Sequence, residues 1–416
     1  MTRPYARLDR TTGMNWRIKL SAIAGTMLLL LAALAQAQTL TVLHNLSGGA
    51  GGDTPLAGVT LDQQGRIYGT TEFGGSNHDG MVYRLAREGQ GWVFSPIYSF
   101  GSQEHDGNSP FARVLFGPGG LLYGTTPLGG TENEGTVFSL QPPATACKTV
   151  LCPWIETVLY SFTGGADGRS PFFGDLAFDQ AGNIYGTTVG GGSSDDGVVF
   201  KLTRSGSGWT ESVLWNFTGV GSDGANPLNG VIFDNAGNLY GATSVGGSNG
   251  LGAAFELSPT QSGWSETTLY SFTTDTGPGA GGLVMDAHGN LFGMTGFVDD
   301  SFNVAFELTP QDGSWSFTLL QNFGEQEATP FVGPTLDSQG NLYGPLPDGG
   351  SGGVGDIFKL THSGDQWIYS AFYQFVPCMD GCNPSGAVTF DASGNMYGTT
   401  SSGGTGGDGT VWELTP

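Results

Sequence analysis

Basic side chains are scarce in this sequence of 416 residues. Lysine and arginine together number 14, against 37 aspartate and glutamate residues, and the formal net charge at pH 7 is −23. Nucleic acids and anionic lipid surfaces are bound largely through Lys and Arg, so the composition predicts neither as a partner. Glycine is abundant, with 73 residues, but it stays far below one third and follows no three-residue period, which excludes collagen.

Long apolar runs are lacking beyond the N-terminus. Arg17 and Lys19 precede an apolar run over 20–35, and Ala35-Gln36-Ala37 supplies a small-x-small cleavage pattern. This arrangement predicts a secretory signal peptide over 1–37 and a single exported domain over 38–416. An uncleaved membrane anchor is the alternative, but the run is short for a bilayer span. We therefore expect a secreted, extracellular or periplasmic protein that is not inserted in a membrane after cleavage.

Cysteine is limited to four residues in two local pairs. Cys147 and Cys152 form one pair, and Cys378 and Cys382 form the other. An even number of cysteines in an exported chain predicts disulfides, each of which would close one small loop. A zinc site that uses all four thiolates is the alternative, which is less favoured because the pairs fall in different repeats.

One tandem repeat accounts for the remainder of the chain. Seven copies of a Tyr-Gly-Thr-Thr motif or a degenerate form of it start at Tyr68, Tyr123, Tyr185, Tyr240, Phe292, Tyr343 and Tyr397. Successive copies lie 51 to 62 residues apart. A period of this length is typical of propeller blades or solenoids.

Four strand-like runs separated by turn signals occur within each repeat. In the third repeat they cover 174–179, 184–188, 198–202 and 209–217. No window has a helical period, so the sequence predicts an all-β fold, a seven-bladed β-propeller with four antiparallel strands per blade. The chain ends on a third-strand pattern at 411–416, whereas 40–46 matches a fourth strand. We therefore expect the N-terminal strand to complete the last blade and close the ring.

Aromatic residues recur at fixed spacing in the predicted fourth strands. A tryptophan stands eight residues before a phenylalanine in six repeats: Trp92 and Phe100, Trp154 and Phe162, Trp209 and Phe217, Trp264 and Phe272, Trp315 and Phe323, Trp367 and Phe375. Because eight is an even number, both rings would face the same side of a regular strand. This regularity favours packing between blades over a row of exposed rings for ligand stacking.

Aspartate recurs at two positions of the repeat. An Asp-x-x-Gly turn between the first and second strands occurs at Asp62, Asp179, Asp234, Asp286, Asp337 and Asp391, and its chemistry indicates a structural turn cap. A second set lies in the loops that join consecutive repeats, at Asp53, Asp106, Asp167, Asp223 and Asp380. These five are the candidate ligand-binding residues, and loops with further carboxylates would share their face. Hard oxygen ligands suit Ca²⁺, which is a possible bound cation. The alternative is that the five carboxylates cap their own loops.

Catalytic patterns are few. The five histidines occupy no common repeat position; His44 occupies a strand position and is predicted to pack there. His78 and His105 adjoin Asp79 and Asp106 on loops, where such neighbours are more often solvated than catalytic. No catalytic residue is predicted. The leading interpretation is a monomeric, non-enzymatic binding propeller for an unidentified protein or glycan. The alternatives are a propeller enzyme (a lactonase or a carbohydrate-active lyase or hydrolase) with a metal near the channel axis, and a structural surface or matrix component.

The segment from Leu159 to Leu202 resembles the GloVer-type tandem repeat of bacterial exported proteins, which are called choice-of-anchor proteins. The resemblance rests on the YGTT, GG and G-x-V-F-x-L elements together and extends over residues 39–416. It implies no particular catalytic activity and transfers no functional residues. Because no anchor segment follows Pro416, it implies a released or periplasmic protein. The chain is more distantly similar to NHL-type propeller repeats, which mostly serve as binding platforms.

If the repeated aspartates bind Ca²⁺, the cation will stabilise residues 38–416 against heat. We expect a saturable rise in the unfolding midpoint on going from EDTA to millimolar Ca²⁺, and substitution of Asp106, Asp167, Asp223 or Asp380 should reduce it. A ligand at a hundredfold excess over its dissociation constant contributes roughly 2.7 kcal/mol. No shift beyond that produced by matched ionic strength would contradict the calcium hypothesis.

Overall fold

Short antiparallel strands make up nearly all the regular structure of the computed structural model, which describes residues 38–143, 154–279, 281–296, 303–324, 332–364 and 366–415. They form seven four-stranded sheets, each of which is one blade of a β-propeller. Helical structure in these ranges is limited to two 3-10 turns, Gly49–Gly51 and Pro118–Gly120. The prediction of an all-β, seven-bladed propeller is confirmed. The predicted signal peptide and the Cys147–Cys152 pair lie outside the described residues.

The strands of a blade follow one another in chain order from the channel outward. The first strands are Thr60–Leu61, Leu115–Phe116, Ala177–Phe178, Ile232–Phe233, Val284–Met285, Thr335–Leu336 and Thr389–Phe390. The second strands are Ile67–Thr71, Leu122–Thr126, Ile184–Thr188, Leu239–Ala242, Leu291–Thr295, Leu342–Leu346 and Met396–Thr400. The third strands are Met81–Glu88, Thr136–Gln141, Val198–Ser205, Ala253–Thr260, Asn303–Gln311, Asp356–Ser363 and Thr410–Thr415. The fourth strands of the first six blades are Gly91–Ser99, Ile155–Ser161, Gly208–Asn216, Gly263–Ser271, Ser314–Gly324 and Gln366–Gln374.

The last blade is completed by the start of the chain. Its outermost strand is Thr39–Asn45, which pairs with Thr410–Thr415. Leu46, which follows this strand, is fully buried and donates its backbone N–H to Gly409 O at 3.0 Å. In the first blade, Phe100 at the equivalent position donates its backbone N–H to Gly80 O at 3.0 Å. The predicted ring closure is therefore confirmed, and His44 packs in this strand as expected, with its ring stacked on Phe94 at 4.2 Å.

The first strands are shorter than the sequence indicates. In the third blade the predicted run 174–179 contains only the two-residue strand Ala177–Phe178. The preceding residues lie where the blades converge, and a Cβ atom added to Gly174 would stand 2.6 Å from the backbone nitrogen of Gly230 in the next blade. Because the backbone is packed this closely against a neighbouring blade, the first strand cannot extend its hydrogen-bonded pairing to these residues.

Each blade is built around a glycine that faces an aromatic ring on the adjacent strand. The glycine of the Tyr-Gly-Thr-Thr motif pairs with an aromatic residue of the third strand, as Gly186 does with Phe200. A Cβ atom on Gly186 would lie 2.6 Å from Cζ of that ring. The other six pairs are Gly69 with Tyr83, Gly124 with Phe138, Gly241 with Phe255, Gly293 with Phe306, Gly344 with Phe358, and Gly398 with Trp412. Only glycine leaves the space that the ring occupies.

The same rings join neighbouring blades. A phenylalanine at the end of each fourth strand, or one residue after it, packs on the third-strand ring of the next blade, with centroids 5.0 to 5.9 Å apart in six successive pairs. The predicted packing role of these phenylalanines is confirmed.

The expectation that the tryptophan and the phenylalanine of a fourth strand face the same side is wrong. Trp209 packs in the core between the second and third blades, whereas Phe217 packs between the third and fourth. The reason is a β-bulge: Phe200 pairs with Val213 and Val199 with Trp215, so one extra residue reverses the side-chain alternation. Fourth strands of five further blades have the same shift.

Replacement of the motif glycine should destabilise the propeller. We expect Gly186→Ala to lower the free energy of unfolding by about 1–3 kcal/mol, because the new methyl group would overlap the buried Phe200 ring. Gly208→Ala in the same blade is the matched control, since a Cβ atom there meets nothing within 4 Å. Denaturant unfolding of both variants tests this, and equal stabilities would contradict the packing role of Gly186.

Candidate binding face and central channel

Two sets of loops emerge on one side of the propeller. We call this side the loop face; it consists of the inter-blade loops, which lead from a fourth strand to the next first strand, and the hairpin loops between second and third strands. The two sets pair within a blade, as in the small ladders of Gly107–Asn108 with Leu128–Gly129 and of Gly224–Ala225 with Val245–Gly246. Single bridges join Asp53 to Phe73, Arg169 to Gly190 and Cys382 to Ser402. The loop face is therefore built from paired backbone.

A repeated hydrogen bond ties five of the seven inter-blade loops to the preceding blade. The donor is the N–H of the residue before a proline, and the acceptor is a hairpin-loop carbonyl, as in Ser109 N to Asp79 O at 2.9 Å. The donors have φ between 52° and 55°, a region that non-glycine residues rarely adopt: Thr54, Ser109, Ser170, Asn226 and Asn383. Repetition of this backbone conformation at one repeat position indicates that the contact is a structural clasp.

The carboxylates of the candidate aspartates accept hydrogen bonds from their own loops and from the strands that precede them. Asp106 is buried, and its Oδ2 accepts hydrogen bonds from Tyr98 Oη at 2.8 Å and from the backbone N–H of Ser102 at 3.0 Å. Asp167 accepts from Tyr160 Oη and from the backbone N–H of Thr163, both at 2.9 Å. The fourth strand thus supplies an aromatic donor to the carboxylate that holds the following loop.

Asp223 and Asp380 have the same arrangement, and Asp53 departs from it. Asp223 accepts from Trp215 Nε1 at 3.3 Å and from Thr218, and Asp380 accepts from Tyr373 Oη and from the Val376 N–H. Asp53 Oδ1 accepts from Thr54 Oγ1 at 2.8 Å. These contacts correspond to the loop-capping alternative. Among the described residues, no three His, Cys, Asp or Glu side chains lie close enough together to hold a metal ion; Ca²⁺ binding stays a prediction.

The disulfide between Cys378 and Cys382 is present. It closes the inter-blade loop that contains Asp380, whose side chain is also held by Tyr373. One covalent link and one charged hydrogen bond therefore hold the same turn. The predicted disulfide is confirmed for this pair.

Glutamates that the sequence reasoning missed lie beside four of the five aspartates. Burial, followed by the neighbouring Asp106 carboxylate, raises the pKa of Glu156 to about 8. Burial together with Asp167 raises the pKa of Glu211 to about 7, and burial together with Asp223 does the same for Glu266. Glu72 lies beside Asp53 and its pKa is about 7 for the same two reasons. The signal in the sequence was a glutamate two residues after the fourth-strand tryptophan, which occurs in three consecutive repeats.

The turns at the opposite end of the blades carry the Asp-x-x-Gly motif. Asp179 Oδ1 accepts the N–H groups of Ala181 and Asn183, both at 2.9 Å, and its Oδ2 accepts from Tyr185 Oη. Burial alone would raise the pKa of Asp179, but these hydrogen bonds, with those of the Asn183 side chain, outweigh it and lower the pKa. In all six motifs the glycine N–H donates to the aspartate carbonyl at 3.0 to 3.3 Å. The predicted structural role of these aspartates is confirmed.

The central channel contains a cavity of about 470 Å³. Residues of all seven blades line it, and most are glycine or aliphatic. Two charged side chains interrupt this lining: Arg113 Nε donates to Asp175 Oδ2 at 2.6 Å, and Arg113 Nη1 lies 3.4 Å from Thr389 Oγ1. Attraction by Asp175, opposed by burial, raises the pKa of the Arg113 guanidinium, which therefore stays charged.

The repeat itself marks this pair. Four residues before the first-to-second-strand turn, the seven blades carry Gly58, Arg113, Asp175, Gly230, Gly282, Gly333 and Ala387. All seven residues line the cavity. Side chains on Gly58 or Gly230 would collide with a backbone carbonyl of the neighbouring blade. The sequence signal for Arg113 and Asp175 is that they are the two charged exceptions at a repeat position that otherwise holds glycine or alanine.

The fold and the paired glycine-rich loops define a tandem-repeat β-propeller. The chain belongs to the family described as the Gloeobacter/Verrucomicrobia repeat, whose model matches residues 31–154 and 153–332. No curated protein sequence matches this chain.

Solved structures share the propeller fold at low sequence identity. The extracellular domain of a putative hybrid two component system from B. thetaiotaomicron is 10% identical with a TM-score of 0.54; the match covers 89% of this chain and 39% of that one. A putative 6-phosphogluconolactonase from Bacteroides fragilis is 12% identical with a TM-score of 0.50, over 76% of this chain and 83% of that one. This chain thus spans about two fifths of the first protein, and at these identities the likeness shows the fold alone. Within the described ranges, no helix has the length and hydropathy of a membrane span.

The carboxyl pairs predict that stability falls as pH rises. A carboxyl whose folded pKa lies above its ordinary value of 4.5 stabilises the folded state below pH 4.5, and that stabilisation is lost as pH rises through 7 to 8. The turn aspartates, whose pKa values are lowered, act oppositely and lose their contribution as pH falls below 3.8. We therefore expect the unfolding midpoint to be highest at about pH 4–5 and to decline toward pH 8.5.

Glu156→Gln should raise the midpoint at pH 8.5 by a few degrees and change it little at pH 5, because the amide is neutral at both values. Glu132→Gln, at an exposed loop-face position, is the control and should leave the pH profile unchanged. A midpoint that rises steadily from pH 5 to pH 8.5 in the wild type would show that the carboxyl pairs do not control stability.

Proposed function

We propose that this chain is an exported, non-enzymatic binding propeller whose protein or glycan partner docks on the loop face. The distribution of exposed apolar side chains carries the proposal. Eight large apolar side chains are exposed among the described residues, and five belong to the loop face: Phe73, Leu128, Val220, Val376 and Met379. The other three lie on fourth strands. Exposed apolar side chains on one face supply the contact area that interaction sites use.

The rigidity of the loops supports this proposal. The clasps, the capping aspartates and the Cys378–Cys382 disulfide hold the loops in one arrangement before a partner arrives. Preorganised loops lose little conformational entropy on binding, so more of the contact energy appears as affinity. The net charge of −23 favours a partner surface that is neutral or basic.

The two alternatives predict different behaviour. An enzyme would convert a lactone or a glycan, and activity that depends on a channel metal would favour it. A structural component would assemble with itself through the same surface. A partner that remains chemically unchanged and binds a monomer supports the binding propeller over both.

Loop-face substitutions should abolish partner binding while the fold is kept. Val220→Ser with Met379→Ser replaces two side chains that are 75% and 78% exposed, so stability should change by less than about 0.5 kcal/mol per substitution. Ile155→Ser with Ile368→Ser, on fourth strands, is the matched control with 60% and 55% exposure.

Immobilised wild-type and variant proteins are compared for retention of the host's exported proteins and purified surface polysaccharides. We expect one component to be retained by the wild type and the control and lost, at least about tenfold, by the loop-face variant. Equal retention by all three proteins would contradict docking on the loop face.

A further inference from the structure

We propose that the central channel is a second site, separate from the loop face, which binds one small, neutral sugar, either a monosaccharide or a disaccharide. The proposal goes beyond partner docking and rests on the Arg113–Asp175 pair, on the cavity around it and on the phenyl rings next to it. The cavity of about 470 Å³ falls within the range of about 300–1,000 Å³ that is usual for small-molecule sites.

The charged pair has hydrogen-bonding capacity that its mutual contact does not use. A guanidinium carries five N–H donors, and a carboxylate offers about four lone-pair positions. The contacts of Arg113 with Asp175 and Thr389 engage only part of this set. The two side chains are 26% and 36% exposed, and the space they meet is the channel. A hydroxyl group of a ligand can donate to Asp175 while its neighbour accepts from Arg113.

Charge selects a neutral ligand. The pair is neutral overall, so an anion would have to compete with Asp175 for the guanidinium. The whole chain, with its net charge of −23, would also repel it. A polyhydroxylated ring uses both partners of the pair and leaves the charge of the channel unchanged.

An apolar platform lies next to the pair. Phe111 is two residues before Arg113. The centroid of its ring lies 4.6 Å from the ring centroid of Phe172 and 5.5 Å from that of Phe173. Phe111 and Phe173 line the cavity together with Arg113 and Asp175. Phe111 lies in an inter-blade loop, three residues after the Gly107–Asn108 ladder of the loop face, so it lies toward the loop-face end of the channel. A ring whose C–H face packs on a phenyl group can thus present its hydroxyl groups to the charged pair.

A purely structural role for the pair is less well supported. Five of the seven blades use glycine or alanine at this position and pack without a charged side chain. Two charged residues in adjacent blades of an otherwise small-residue ring are better explained by a ligand that occupies the channel.

Calorimetric titration of the purified protein with D-glucose, D-galactose, D-mannose and cellobiose tests the proposal, with citrate as the anionic probe. We expect at least one sugar to bind, and Arg113→Ala and Asp175→Asn each to weaken it by about tenfold or more. Arg169→Ala is the matched control, since it breaks an Arg–Asp pair with 3.0 Å contacts on the loop face, and it should leave sugar binding unchanged. Phe111→Ala removes the platform without touching the pair and should also weaken binding. Thermal unfolding confirms that each variant is folded.

Three results would overturn the proposal: no heat with any of the sugars at about 10 mM, sugar binding that is equal in wild type and all channel variants, or citrate binding to the wild type that is as tight as that of any of the sugars. Retention of the loop-face partner is measured on the same variants. If the channel variants lose sugar but keep the partner, both proposals hold. If the partner is retained and no sugar binds, only the channel proposal fails. If a sugar binds and is chemically converted, the non-enzymatic function is refuted but the channel site remains.

Discussion

The contact between the motif glycine and the third-strand aromatic ring is the constraint on which the propeller depends. The ring lies across the glycine within a blade, as Phe200 does across Gly186, and it also receives the fourth-strand phenylalanine of the preceding blade. One side chain therefore sets both the internal packing of a blade and its spacing from the next. Repetition of this contact around the ring explains why the motif keeps its glycine in all seven copies while the neighbouring threonines vary.

Much of the polar chemistry that repeats with the motif is used to hold the fold. The turn aspartates cap their own turns, the inter-blade aspartates bind the end of the fourth strand, and the strained residues before proline clasp one blade to the next. Repeated residues in a tandem-repeat protein mainly serve the contacts that recur between neighbouring units. Specific function is more readily found where a repeat position departs from its consensus, as at Arg113 and Asp175.

The sequence predicted the number of blades, the order of strands and the closure by the N-terminal strand, because these follow from period, turn signals and matching end patterns. Its errors were local. The two sides of the fourth strand were misassigned because the extra residue at Leu214 is a bulge, which alternation in sequence does not reveal. The first strands were overextended because close approach of the blades, rather than strand propensity, ends their ladders.

The candidate site divides in the same way. The sequence by itself determined that carboxylates and glycines would crowd the loops, since both recur in register with the repeat. Only the tertiary structure decided what they do: it placed an aromatic donor on Asp106, Asp167, Asp223 and Asp380, and it set half-buried glutamates beside Asp53 and the first three of these. It also brought Arg113 and Asp175, which are 62 residues apart in the chain, into contact across two blades. The physical reason is that a propeller forms its channel from one short segment of every blade, so residues far apart in sequence become neighbours only when the ring closes.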